Sequence, residues 1–218
     1  MSRNLGRAAI VLFVSLWTAS AAAQLFPQKD QKNDVGILVG KVFTSSHAIV
    51  GTLPPPLTDN RVWFAKPFAF QGNYSRFLKG SDLLSYTFEV PVMTTWIRDL
   101  NSSNDNVPKN YWGLHVTPGI RVALFPNAAF HPWVAAGGGI SFYKTSTHGV
   151  YNVLTVPGKS NTTGTLQLGV GFDTKFWRQY RIRAELRDFY SGVPDFNVNQ
   201  GRTRLHNITP MFGIVIPF

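Results

Sequence analysis

Five histidines (His47, His115, His131, His148 and His206) are the residues best suited to acid–base or metal chemistry. The chain has no cysteine, so thiolate ligands, thiol nucleophiles and disulfides are excluded. No two histidines have convincing metal-ligand spacing. A Ser–His hydrolytic pair needs both side chains on neighbouring positions and an acid orienting the ring, and no His-x-Ser spacing accompanies His206. His47 and His148 fall in loops, while His115 and His131 fall by parity on the polar faces of strands. Pro157-Gly158-Lys159-Ser160 resembles the close of a phosphate loop but lacks its leading glycine, strand and helix. These residues point to no enzyme, no metal and no cofactor.

A second set is more orderly. Arg181, Arg183, Glu185 and Arg187 alternate with Tyr180, Ile182, Ala184 and Leu186, and Glu89, Arg121 and Asp173 hold equivalent alternating positions elsewhere. If these faces enclose a space, charges of mixed sign there form an ion-pair network, because a charge in a low-dielectric interior needs a partner. The alternative is a narrow, anion-leaning path, since the arginines outnumber the carboxylates.

The alternation that positions these charges recurs eight times, over segments at about 34–44, 66–78, 82–96, 111–125, 129–144, 161–174, 178–190 and 204–218. In the third segment Leu84, Tyr86, Phe88, Val90, Val92 and Trp96 share a face, with Ser85, Thr87 and Glu89 behind them. The polar faces are rich in Gly, Ser, Thr and Ala, which suit the tight interior of an eight-stranded cylinder. The apolar faces carry aromatics at the strand ends, as lipid-interface girdles do. Trp96 and Trp112 fall at one rim, and Phe125, Phe130, Trp177, Tyr180 and Phe218 at the other. Gly137-Gly138-Gly139 lies inside a strand pattern and reads as a kink or tight packing. Connections alternate in length: short near 79–81, 126–128 and 176–178, long over about 45–65, 97–110, 145–160 and 191–203.

Arg3 and Arg7, the short apolar run from Ala8 to Trp17, and Ala21-Ala22-Ala23 form an expected cleaved signal peptide over 1–23. Its removal takes the net charge from +10 to +8. Residues 24–33 would be a short periplasmic tail, and 34–218 the single folded domain. After Ala23 no run approaches the roughly 18 apolar residues of a membrane helix, so a membrane location requires a closed barrel. The scattered cations and expected export argue against nucleic acid and for anionic lipid.

The chain also ends on an alternating apolar strand in which Gly213, Ile216 and Phe218 fall on the marks of an outer-membrane assembly signal, although Met211 stands where a polar residue is usual. Together these features resemble the small outer-membrane β-barrel family, the group of the OmpA transmembrane domain and OmpX. The resemblance implies an all-β, eight-stranded antiparallel up-and-down transmembrane barrel. It also implies export through the periplasm to a Gram-negative-type outer membrane, insertion by the barrel-assembly machinery, and a monomeric state. The expected role is structural, or surface interaction through long extracellular loops, with a narrow pore as alternative and a lipid-modifying barrel enzyme as a remote one. No peptidoglycan-binding module is expected after Phe218. Lipopolysaccharide is the expected lipid partner, its phosphates meeting Arg61, Arg98, Lys109, Lys144, Lys159, Arg202 and Arg204 in the loops or at their rims.

Overall fold

A computed structural model describes residues 32–51, 61–177 and 179–218; the expected leader, most of the tail and Pro54-Pro55-Pro56 lie outside them. The described residues form twelve strands: β1 (Asn33–Lys41), β2 (His47–Ala48), β3 (Arg61–Phe64), β4 (Phe68–Gly80), β5 (Leu84–Thr95), β6 (Arg98–Ser102), β7 (Asn110–Val116), β8 (Gly119–Leu124), β9 (Phe130–Thr145), β10 (Ser160–Trp177), β11 (Tyr180–Gly192) and β12 (Arg204–Pro217). Eight staves make a closed antiparallel barrel. The order β10-β11-β12-β1-β4-β5-β8-β9 returns from β9 to β10, with β7 and β8 as two halves of one stave. Closure leaves no edge in the wall.

The seam that completes the cylinder joins the first and last staves, with Asp34 opposite Pro217 and Gly40 opposite Met211. Gly213 sits at this seam for a steric reason: a Cβ there would lie 2.0 Å from the Ile37 carbonyl oxygen. The fourth stave is broken at Thr117-Pro118, where proline supplies no N–H to the ladder. The glycine run on β9 answers this break. A Cβ at Gly139 would lie 2.0 Å from the Val116 carbonyl oxygen, and Gly138 N–H donates to Pro118 O at 3.0 Å.

Side chains alternate outward and inward along the staves. Ile37, Phe70, Phe88, Val134, Leu168, Val170, Phe212 and Ile214 stand exposed on the outside, while Gln71, Ser75, Glu89, His115, Arg183 and Thr209 are buried inside. Two of the long connections are more ordered than the alternation suggests. β3 prolongs β4, β6 prolongs β5, and β2, β3, β6 and β7 pair in succession above the barrel mouth. Ile49, Val62, Leu100, Val107 and Phe196 from the connections pack there with Tyr111 and Tyr143. The long-loop end therefore carries a cap with its own apolar core.

Candidate functional site: a closed lumen and a polar cluster on the outer wall

The lumen is filled in layers. Toward the short-turn end, Arg187 is gripped by two carboxylates: Nη1 donates to Glu89 Oε1 at 2.6 Å and Nε to Glu185 Oε1 at 2.8 Å. Asn73 Nδ2 donates to Glu89 at 3.1 Å and Gln71 Nε2 to Glu185 at 2.7 Å. Arg183 makes a two-pronged pair with Asp173, both bonds at 2.7 Å. Arg121 lies 3.6 Å from Asp34 and 3.8 Å from Glu89, and Arg181 reaches Asp34 at 2.8 Å. All seven luminal charges read from the sequence come together in one network.

The structure adds two residues. Asp34, at the first inward position of β1, supplies the carboxylate that the tally lacked, so four arginines face four carboxylates. Extending the parity of the first segment by one residue would have found it. Trp133, also inward, is 2% exposed. Its ring lies 5.2 Å from Arg187, 5.3 Å from Arg183 and 5.6 Å from Arg121, and its Nε1 donates to Asp173 at 3.1 Å. It is the hub of the network, stacking its π face on guanidinium groups.

Above the charges, Leu38, Val42, Ala69, Met93, Phe189 and Met211 form a buried apolar layer across the barrel interior. Next comes a polar layer: His115 Nδ1 meets Ser141 Oγ at 2.5 Å, Ser141 also bonds Thr165, and the Tyr143 hydroxyl bonds Ser191 at 2.5 Å. The cap closes the end. A vestibule of about 150 Å³ opens at the turn end, lined by Asp34, Arg121, His131, Trp133, Asp173 and Arg181, and goes no deeper than the charged layer.

No protein-family model matches the chain, and comparison with curated protein sequences gives no match. Solved structures do match. Neisserial surface protein A is 9% identical with a TM-score of 0.50, covering 87% of this chain and 98% of its own. OprG, an outer membrane protein from Pseudomonas aeruginosa, is 12% identical with a TM-score of 0.53, covering 86% and 96%. The chain has the fold of the small outer-membrane β-barrels.

In this outer-membrane-type barrel Trp96, just past the end of β5, and Trp112 on β7 stand at the loop end of the wall, where the two strands pair through Thr94 and Leu114. At the turn end Trp177 stacks near Tyr180 with centroids 6.1 Å apart, and Phe125 and Phe130 are exposed. Phe218 is half-buried and locks the terminus through paired backbone bonds with Asn33.

The expected cationic collar is only partly a surface. Arg61, Lys109, Lys144, Arg202 and Arg204 are exposed. Lys159 pairs with Asp195 at 2.9 Å. Arg98 is a correction: it is 1% exposed, donating to Ala65 O, Thr44 and Tyr111 and lying 4.9 Å from the Phe64 ring centre. It is a cation built into the cap core, because β6 continues the barrel wall and turns this side chain inward. Lys41, over Phe68 at 5.4 Å, is a rim cation absent from the expected set. Of the apolar residues in the long connections, Ile49 is likewise buried in the cap, whereas Val50 and Val153 are exposed.

His47 ties the first long connection to the last. Its Nε2 lies 2.8 Å from Gln200 Oε1, and Val50 N–H donates to Asn199 O at 2.7 Å. Burial pulls its proton affinity below the ordinary value of 6.5, against the Gln200 bond, with Arg202 adding to the lowering. A histidine of this kind stabilises the cap fully above its unfolded pKa and progressively less as pH falls toward its folded one. Amide exchange at Val50, corrected for intrinsic rate, is expected to quicken below pH 6.5, and His47→Gln to flatten that dependence. Equal pH slopes in both proteins would remove His47 as the cause.

Near the loop end of β11 and β12 the outer wall departs from its apolar character. Asp188 and Tyr190 on β11 and Arg204 and His206 on β12 all lie on the outward face near the loop end. His206 Nδ1 is 2.6 Å from Asp188 Oδ2, its ring centre is 4.6 Å from that of Tyr190, and Arg204 lies 5.9 Å from the same ring. Charge on a lipid-facing wall costs about 2–4 kcal/mol for Arg or Lys at mid-membrane, and less for acids or nearer the interface. The parity of segments seven and eight places all four residues on the apolar side, which is the signal the sequence offered for this cluster.

Proposed function

We propose that this protein is a non-enzymatic outer-membrane barrel with a closed lumen, exported through the periplasm and acting as a monomer through its loop-end surface and its hold on envelope lipids. The observation that carries this reading is the filling of the lumen by a charge-balanced network, an apolar layer and a four-loop cap. An ion crossing it would have to break a bidentate pair and then cross a layer containing Met93 and Phe189 with no polar replacement for its hydration shell. The exposed apolar band supports placement in hydrocarbon, with the short turns and both described ends periplasmic and the cap extracellular. Rim cations set beside the band suit the phosphates of lipopolysaccharide.

Planar-bilayer recording tests the reading. Residues 24–218, refolded into lipid and shown folded by a heat-dependent gel shift, are expected to give no channel steps. Discrete, reproducible steps would move the function to diffusion. An anion-leaning path has lost its basis in charge excess, because Asp34 balances the fourth arginine.

A further inference from the structure

We infer that the outer wall carries a built site for one phosphorylated glycolipid of the lipid A class, with the phosphate on Arg204 and His206 and one acyl chain in the groove below them. This rests on the proposed orientation, in which the loop end faces the outer leaflet.

The groove has a volume of about 620 Å³ and is lined by Ile120, Val122, Val134, Ala136, Leu168, Val170, Leu186 and Ile208, with Asp188 at its upper part. Its lining follows two cross-strand rows. Ile120, Ala136, Leu168, Asp188 and Ile208 are successive register partners from β8 to β12, and Val122, Val134, Val170 and Leu186 form the next row. Ala136 is the small residue between Ile120 and Leu168, so the wall dips there. Ladder rows run across tilted strands, so the trough is inclined to the membrane plane. Ile208 lies nine residues above the turn end of β12 and Ile120 four above that of β8, so the trough descends from the loop end into the hydrocarbon.

The head of the trough is where the polar cluster stands. Asp188 orients His206 through Nδ1, leaving Nε2 for a further partner on a side chain that is 64% exposed. Arg204 spends Nη1 on the Gly164 carbonyl at 2.8 Å, which fixes the guanidinium and leaves its other nitrogens. The two side chains sit on the same face of β12, two residues apart, against one Tyr190 ring. Two adjacent nitrogen donors and an apolar trough leading away from them match a phosphate and an acyl chain in that order.

The test uses the full barrel in nanodiscs of zwitterionic lipid, titrated with bisphosphorylated lipid A, its dephosphorylated form and phosphatidylglycerol. Wild type is expected to bind bisphosphorylated lipid A at least about ten-fold more tightly than either comparison lipid. Arg204→Gln with His206→Gln should remove that preference. Ala136→Trp, which fills the trough and leaves the head group donors in place, should weaken binding by a similar factor. Lys79→Gln at the opposite rim should change nothing. Equal affinity for the phosphorylated and dephosphorylated forms, or an unaffected Ala136→Trp, would overturn the assignment while leaving the closed barrel standing. Phosphatidylglycerol bound as tightly as lipid A would overturn the glycolipid commitment. Failure to enter nanodiscs at all would overturn the membrane reading, and the site with it.

Discussion

Arg187→Leu is expected to destabilise the refolded barrel by about 3–5 kcal/mol, the cost of leaving buried charge without its partner. Arg187 is fully buried and is the shared donor of Glu89 and Glu185, which come from staves on different sides of the lumen. Removing it strands two carboxylates whose remaining donors are Asn73, Gln71 and the more distant Arg121. Urea unfolding in lipid vesicles, followed by tryptophan fluorescence, measures the loss. Arg187→Lys should recover only part of it, because an ammonium cannot fork between two carboxylates as a guanidinium does. Replacing all three together (Glu89→Gln, Glu185→Gln and Arg187→Met) should cost less than Arg187→Leu alone, since no charge is then stranded. A single Arg187→Leu variant within about 1 kcal/mol of wild type would show that solvent reaches these carboxylates, contrary to a closed charged layer.

Trp133→Ala should be nearly as damaging, at about 3–5 kcal/mol, from the loss of a buried indole and the cavity it leaves. The surroundings were shaped for this ring. Gly171 on β10 lies where any Cβ would come within 2.5 Å of it, and a Cβ at Gly169 would be 3.6 Å away. Trp133→Phe separates the two roles of the ring. It keeps an aromatic face among Arg121, Arg183 and Arg187 but loses the bond to Asp173, a difference of about 1 kcal/mol if the face dominates. Should the phenylalanine variant unfold at the same urea concentration as the alanine variant, the hydrogen bond to Asp173 is the larger contribution. Both variants should stay silent in a bilayer, because the layer of Leu38, Met93, Phe189 and Met211 lies beyond them.

Much of the wall was legible because strand parity is local. A residue two positions along a stave faces the same side whatever the rest of the chain does. Hence Arg181, Arg183, Glu185 and Arg187 could be placed inside, and Leu166, Leu168 and Val170 outside, without knowing which strands pair. The kinked fourth stave was harder to see. Thr117-Pro118 interrupts the ladder, yet the apolar faces of its two halves, ending at Val116 and resuming at Ile120, stay in phase.

The sequence by itself determined the eight staves, the sides they present and the alternation of short and long connections, since each depends on spacings of a few residues. The tertiary structure alone decided what meets across the lumen. Asp34 finds Arg181 across 147 positions, Glu89 finds Arg187 across 98, and Trp133 becomes a hub only once β8, β9 and β11 enclose it. It also turned Arg98 from a surface cation into a cap residue and brought Asp188 to His206 on the outer wall. Such contacts depend on barrel register and closure. A one-residue slip at the β1–β12 seam, where Gly213 meets the Ile37 carbonyl, would exchange every inward residue of the last stave for an outward one.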